Sequence, residues 1–300
     1  MITKRIKGTS VRLTTVDRLF YFLLDCFLIL TLIIVAIPIW STITLSFRSN
    51  TFIGSNIEGM FLPPWKWSAA AYRALLGNNG FLTAFFNSLK IFVMGVACAL
   101  IFTVPLAYAL SIKTLPGRKF FNVFILIPYL FNVGLIPTYL VVNRLGLSNH
   151  LAAIFLPVAI STYNCLIMRG FFEGVPDELK ESARIDGASE ITVLVRIMLP
   201  LSKPIIMTIG LYYGVQFWND FFHAMLYINN NALLPLPILL RNILMATGMN
   251  EFVEVNAFGE APIQAIKAAS VFMAAIPMII AYPFIQKYFT KGTLLGSVKG

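Results

Sequence analysis

Three hundred residues with 58% hydrophobic and 12% charged side chains, a net charge of +10 and three cysteines do not describe a soluble domain; soluble chains average about 45–50% apolar and about 25% charged residues. The apolar residues come in long blocks rather than in helical or alternating stripes, which is the pattern of membrane spans. The positive charge gathers at the ends of those blocks, where the positive-inside rule puts it, and this argues against nucleic acid as a partner.

The chain opens with Lys4, Arg5, Lys7, Arg12 and Arg18. The apolar block that follows, 19–45, is longer than the roughly 7–15 residue core of a cleaved signal peptide, so it reads as a span that stays. Five further blocks lie at 81–112, 120–142, 151–168, 205–228 and 263–288. Each supplies the roughly 20 residues that cross the hydrocarbon as a helix, and continuous apolarity selects helices over a barrel. The expected fold is therefore all-α and polytopic, with six transmembrane helices in a single domain over 19–300 behind an N-terminal tail 1–18. Placing the N-terminus inside puts 16 Lys and Arg on the inner side and seven on the outer, which makes both termini cytoplasmic. Cys26, Cys98 and Cys165 stand singly within apolar blocks and read as small buried hydrophobes, not as metal ligands or a disulfide framework.

Two long outer loops result, 48–80 and 229–262, the first carrying Trp65 and Trp67, whose rings suit the headgroup level. Loops of this length are either solvated connections or partner-binding elements. In the third and fourth spans Tyr129, Asn132, Tyr139, Ser161 and Asn164 are polar groups placed to line a path.

Between the fourth and fifth spans lies a polar loop, 170–203. Val175-Pro176-Asp177-Glu178 is a helix start, with proline preset for the first turn and acids facing the positive dipole end. The helix runs to Ile185 with Leu179, Ser182 and Ala183 on one face, and Asp186-Gly187 ends it, glycine taking φ > 0 without penalty. A second helix is expected from Ala188 to Ile197, gathering Ile191, Leu194 and Val195, until Leu199-Pro200 stops it. The product is a helical elbow, where a plain surface linker would not need two capped helices.

Glu181-Ser182-Ala183, then Gly187, then Ile197, Leu199 and Pro200 keep every spacing of the signature Glu-Ala-Ala, three residues, Gly, nine residues, Ile-x-Leu-Pro. The loop thus resembles that of ABC-type import permeases, with Ser182 in place of the second alanine as its one departure. The resemblance implies that the elbow docks into a cleft of a cytoplasmic ATPase subunit, with Glu181 as polar anchor. Ala183 and Gly187 would allow close approach, Asp186 would close the turn with Gly187, and Ile197, Leu199 and Pro200 would tie the elbow to the next span.

Further likeness, to the second membrane subunit of maltose-type oligosaccharide importers, is carried by three stretches. They are Ala107-Tyr108-Ala109-Leu110 with Leu115-Pro116-Gly117-Arg118, Trp218-Asn219-Asp220-Phe221, and the ending Leu295-Gly296-Ser297-Val298-Lys299-Gly300. Over the whole chain the look is that of permeases for polysaccharide fragments, some of them acidic. The implied assembly holds a second homologous permease subunit, two cytoplasmic ATPase subunits and an extracytoplasmic sugar-binding protein, in the bacterial inner membrane. The implied activity is import of an oligosaccharide, uronate-containing or neutral, by alternating access. In such a family the tail Gly296, Ser297, Val298, Lys299 and Gly300 reaches into the ATPase pair; the alternative is a frayed terminus.

In the fifth span Gln216, Asn219, Asp220 and His223 recur at i, i+3, i+4 and i+7, with Tyr212 and Tyr213 one turn earlier. A polar face on an apolar helix should turn into the bundle or a water-filled path. Tyr212, Tyr213 and Gln216 suit stacking and hydrogen bonding to a sugar, whereas Asn219 and Asp220 serve either the path or the joining of helices.

Rival readings are weaker. With only His150 and His223, and without HExxH or GxSxG, the chain has no catalytic set and no metal site. The absence of GxxxxGK[ST] assigns ATP and Mg to a partner subunit. A non-sugar importer keeps the elbow; a passive channel or secondary transporter does not need one.

Overall fold

Apolar blocks become helices because lipid offers no partner to backbone N–H and C=O groups. A computed structural model of the chain describes residues 14–49, 62–131, 133–245 and 261–296, with backbone alone over 284–296, and contains no strand among them. The helices are α1 (Thr15–Ser46), α2 (Ala70–Gly77), α3 (Asn79–Ser111), α4 (Arg118–Leu130), α5 (Leu135–Arg144), α6 (Ala152–Phe155), α7 (Thr162–Glu173), α8 (Asp177–Ile185), α9 (Glu190–Val193), α10 (Lys203–Trp218), α11 (Phe222–Tyr227), α12 (Leu236–Met245) and α13 (Ile263–Gly296). The described residues fall into two compact units, one within 1–74 and 258–272, the other within 75–257 and 273–300.

Among the described residues three helical runs are each long and apolar enough to cross a membrane: Thr15–Ser46, Asn79–Ser111 and Ile263–Pro283. The other blocks depart from the unbroken spans expected of them. The block 120–142 is two helices, α4 and α5, set at 112° to each other. The block 151–168 is α6 with the 3-10 turn Leu156–Val158, a bend of 54°, and then α7, which runs on to Glu173. The block 205–228 divides after Trp218, while on its other side the helical run Glu190–Leu201 meets α10 at 84°. If each bent pair makes one crossing, the crossings number up to six.

In the first unit α1 starts before its apolar block, because Thr14 and Asp17 form a capping box (Asp17 N to Thr14 Oγ1 3.2 Å, Thr14 N to Asp17 Oδ2 2.8 Å). At its far end Ser46 bonds the Tyr72 hydroxyl at 2.6 Å, and Trp67 stacks on Phe47 at 4.7 Å while its Nε1 donates to Leu62 O at 2.9 Å. Trp67 is therefore held in packing, whereas Trp65 is 82% exposed.

The second unit is built on α3, which packs against α10 and α7. Its core gathers Ala99, Ala107 and Tyr108 of α3, Cys165, Met168 and Phe172 of α7, and Ile209, Tyr213 and Phe217 of α10. Of the cysteines, Cys165 is buried, Cys98 half-buried and Cys26 exposed. Within the segment 229–262, expected to be loop, the described residues 229–245 form a 3-10 turn, Asn231–Leu233, and then α12. Buried Asn87 and Ser88 near the start of α3 hold it, Asn87 Nδ2 donating to Ala232 O (2.9 Å) and Leu234 O (3.2 Å), and Leu236 N donating to Ser88 Oγ (2.8 Å).

Candidate functional site

The elbow begins where α7 ends. Pro176 precedes α8, and Asp177 and Glu178 stand in its first turn with Arg184 in its last, each sign facing the complementary dipole end. Gly187 turns the chain at φ +81°, with Gly187 N on Arg184 O (3.0 Å) and Ala188 N on Ala183 O (2.9 Å). A Cβ at Gly187 would meet nothing within 4 Å, so within this chain the requirement at 187 is conformational.

The second arm differs from expectation. It starts at Glu190, with Ser189 accepting from Thr192 N, and does not stop at Leu199-Pro200 but runs through a π-turn, Leu194–Met198, to Leu201. A π-turn widens the ladder just where a proline removes a donor and crowds the preceding turn. Nor do Ile191, Leu194 and Val195 gather inward. Leu194 packs on the core, whereas Ile191 and Val195, one turn apart, stay 75% and 51% exposed, near Ile185 in sequence and exposed like it (85%). The elbow therefore shows apolar side chains on its open surface. Glu181, Ser182, Asp186, Gly187 and Pro200 are exposed as well, with Ala183, Ile197 and Leu199 half-buried.

Three polar clamps fasten the elbow within the second unit. Lys180, 5% exposed, donates to Asp177 Oδ1 (2.9 Å) and Phe172 O (3.4 Å), while Lys113 reaches Asp177 Oδ2 from beyond α3 (3.2 Å). A buried ammonium needs such partners. Lys180 first, and Lys113 with it, hold the Asp177 carboxyl below the usual range. Across the Gly187 turn Arg184 grips Glu190 through Nε (2.7 Å) and Nη2 (3.3 Å), and the buried Tyr108 hydroxyl donates to Glu190 Oε2 (2.6 Å). Arg184 is the larger cause that keeps the Glu190 carboxyl low. At the base Glu173 accepts from Arg118 and from Arg169 Nε (3.0 Å), while Arg169 Nη1 reaches Asn122 Oδ1 (2.7 Å) and Arg118 Nε donates to Leu110 O (2.9 Å). Sequence reasoning counted these basic residues for orientation and missed their acidic partners. The basic residues of 113–118 and the crowding of both signs into 169–190 were the available signal.

The path candidates divide. Tyr213 is fully buried: its hydroxyl bonds Thr103 Oγ1 (2.8 Å) and accepts from Ser161 N (2.9 Å), and its ring stacks on Phe217. That corrects its expected role against sugar, since the hydroxyl ties α10 to α3 and to the start of α7 and the ring is buried against Phe217. Asn164 is buried at 4%, Ser161 caps α7, and Tyr139 stacks on Tyr227. The polar face expected over 216–223 does not form on one helix, because the helix breaks there. Asn219 Nδ2 donates to Val215 O (2.8 Å), and Asp220 accepts from His223 N (3.0 Å) and bonds His223 Nδ1 (2.6 Å). Such side chains satisfy backbone groups freed at a break, which favours the structural reading of both, as caps rather than as links to neighbouring helices. Tyr129, Tyr212, Gln216 and Asn219 are exposed, the last three spaced 4 and 3 apart on one side of α10. Asn132 and the tail Ser297–Gly300 lie outside the described residues, and Gly296 is the last residue of α13.

Comparison with known proteins bears directly on this arrangement. Residues 7–294 match the family described as binding-protein-dependent transport system inner membrane component. Protein LplC of Bacillus subtilis (strain 168) is 44% identical over 246 residues, covering 81% of this chain and 83% of its own. The polygalacturonan/rhamnogalacturonan transport system permease protein YtcP of the same organism is 38% identical over 286 residues, covering 95% and 99%. Among solved structures, a chain of a bacterial ABC transporter involved in the import of the acidic polysaccharide alginate superposes with a TM-score of 0.85 at 31% identity, covering 93% of this chain and 100% of that one. With a match over nearly its whole length, the chain belongs to the family of inner membrane components of binding-protein-dependent transport systems.

Proposed function

We propose that this chain is one of two homologous permease subunits of an importer that takes up uronate-containing oligosaccharides, driven by a pair of cytoplasmic ATPase subunits and fed by an extracytoplasmic binding protein. The observation that carries the reading is the elbow: the residues of the Glu181–Pro200 motif sit on a clamped, two-armed projection with exposed Ile185, Ile191 and Val195. A projection that is rigid at its base and apolar at its surface suits docking into a partner cleft. ATP and Mg belong to that partner, and the chain itself is not an enzyme.

In this reading the single domain over 19–300 crosses the membrane six times, α4 with α5 and α6 with α7 each making one crossing and α10 another, with both termini and the elbow cytoplasmic. The start of α3 and the segment 229–245 then face outward. Exposed Tyr212 and Gln216, with Tyr129, line the sugar path, and exposed Arg144 and Arg241 offer charge to uronates at its mouth. The uronate proposal is supported by the relative named for polygalacturonan transport and by the neighbour from an alginate importer.

The test is to co-express the chain with the candidate ATPase, partner permease and binding protein and reconstitute them in proteoliposomes. ATP hydrolysis stimulated by binding protein loaded with oligogalacturonate, and not by unloaded protein, is the expected result. An assembly that hydrolyses ATP at one rate whatever the sugar would sink the substrate assignment.

A further inference from the structure

We propose that α3 carries the signal from the outer face to the elbow, with Asn87 and Tyr108 as positioning residues at its two ends. The inference rests on the orientation proposed above. Both residues are buried (3% and 4% exposed), and both spend their polar groups on distant parts of the chain. Asn87 Nδ2 holds the carbonyls of Ala232 (2.9 Å) and Leu234 (3.2 Å), just ahead of α12. The Tyr108 hydroxyl holds Glu190 Oε2 (2.6 Å), and Arg184 grips the same carboxylate, so one hydroxyl is tied to both arms of the elbow.

Between them α3 is unbroken, and 21 residues at 1.5 Å span about 32 Å. Pro105 is the place where such a helix would bend. Two residues away, Thr103 is bonded to the Tyr213 hydroxyl (2.8 Å), which braces the turn against α10. Close-packed elements pass a displacement on rather than absorb it. A push on the segment before α12 therefore arrives at Glu190 through α3, and neither end residue needs to touch sugar or ATPase.

The experiment compares wild type, Asn87→Ala, Tyr108→Phe and the double variant in the complete assembly in proteoliposomes. It reads the ratio of ATP hydrolysis with loaded binding protein to basal hydrolysis, and the amount of ATPase that co-purifies. Each single change is expected to cut the ratio about fivefold or more, the scale of a modest coupling energy, with co-purification as in wild type. The double variant should fall no further than the worse single one, because both cut one line. Sites this far apart that act independently give effects that multiply. Multiplied losses, an unchanged ratio in either single variant, or loss of co-purifying ATPase would each overturn the proposal. Should Asn87→Ala not assemble, Ser88→Ala, which frees Leu236 N, tests the same end. A wild-type assembly that loaded binding protein does not stimulate would instead count against the importer reading itself.

Discussion

Phe217 of α10 lies directly on Gly95 of α3: a Cβ at 95 would stand 2.7 Å from Cδ2 of that ring and 3.1 Å from Phe155 Cβ. The relation is reciprocated one turn away, where a Cβ on Gly214 of α10 would stand 2.6 Å from the Phe92 ring of α3. Each helix thus sets an aromatic ring into a notch on the other, the close approach that small residues allow between membrane helices.

Gly95→Val should therefore lower the melting temperature of the detergent-solubilised chain, overpacking of this kind costing about 1–3 kcal/mol. Gly170 in α7, where a Cβ would meet nothing within 4 Å, is the control. Gly170→Ala should be neutral or stabilising, by about 0.5–1 kcal/mol. Equal melting temperatures for Gly95→Val and wild type would remove the interlock from the account.

On the elbow, Glu181 is exposed and makes no hydrogen bond or ion pair among the described residues, so Glu181→Ala should leave the fold untouched. Gly187→Val places a branched side chain at φ +81°, where even an unbranched residue costs about 1–2 kcal/mol. Both variants are expected to insert in the membrane yet to lose substrate-stimulated ATP hydrolysis in the assembly. Wild-type stimulation in both would detach the motif from coupling.

The clamps also set a pH dependence. Arg184 holds the Glu190 carboxyl below its ordinary range, as Lys180 and Lys113 do for Asp177. A depressed carboxylate contributes stability that is fully present above its unfolded pKa, about 4.3 for Glu and 3.9 for Asp. That contribution is lost as pH falls through the lower folded value. Protection of elbow amides from hydrogen exchange, corrected for intrinsic rates, should therefore be flat from about pH 5.5 to 8. Glu190→Gln should reproduce the acid effect at neutral pH by removing the charge that Arg184 and Tyr108 grip. A steep change of protection near pH 7 in wild type would contradict this.

What the sequence could and could not reveal follows from where each signal resides. Long apolar blocks are a property of composition, so α1, α3 and the start of α13 were legible to within a turn, as was the Gly187 turn, which depends on one residue's backbone freedom, whereas α13 runs on to Gly296, past the expected end at 288. The breaks were not. Asn219 and Asp220 keep helical spacing with Gln216, and only their bonds to Val215 O and His223 show a helix ending. Tyr213 and Tyr212 are adjacent and chemically alike, but α10 turns one to the core and the other outward. Glu190 stands 82 residues from Tyr108, a separation across which pattern reading has no purchase. For that reason the clamps stayed hidden while the motif they support was plain.

Topology is open to direct measurement. The excess of Lys and Arg on one side predicts both termini in the cytoplasm. Single cysteines placed at Thr3 and at Ser297 in an otherwise cysteine-free chain should both resist a membrane-impermeant thiol reagent in intact cells and both react after permeabilisation. Labelling of one but not the other in intact cells would require an odd number of crossings.

The segment beyond α12 carries the last expectation. Its base is fastened: Ser88 and Asn87 hold the backbone at Leu236, Leu234 and Ala232, and α12 packs along the start of α3. The stretch that follows, from Thr247 through Gly248-Met249-Asn250 to Glu254, lies outside the described residues, and its sequence joins Gly248 and Asn250 to the acids Glu251 and Glu254. In the proposed orientation this stretch follows a fastened base on the outer side, and the backbone freedom of Gly248 suits it to enter the cleft of a docked binding protein and displace its sugar. Deleting residues 247–254 should therefore abolish stimulation of ATP hydrolysis by loaded binding protein. Assembly and basal hydrolysis should be spared, because neither the base at Asn87 nor the elbow is touched. Stimulation that survived the deletion intact would reduce the segment to a connection between α12 and α13.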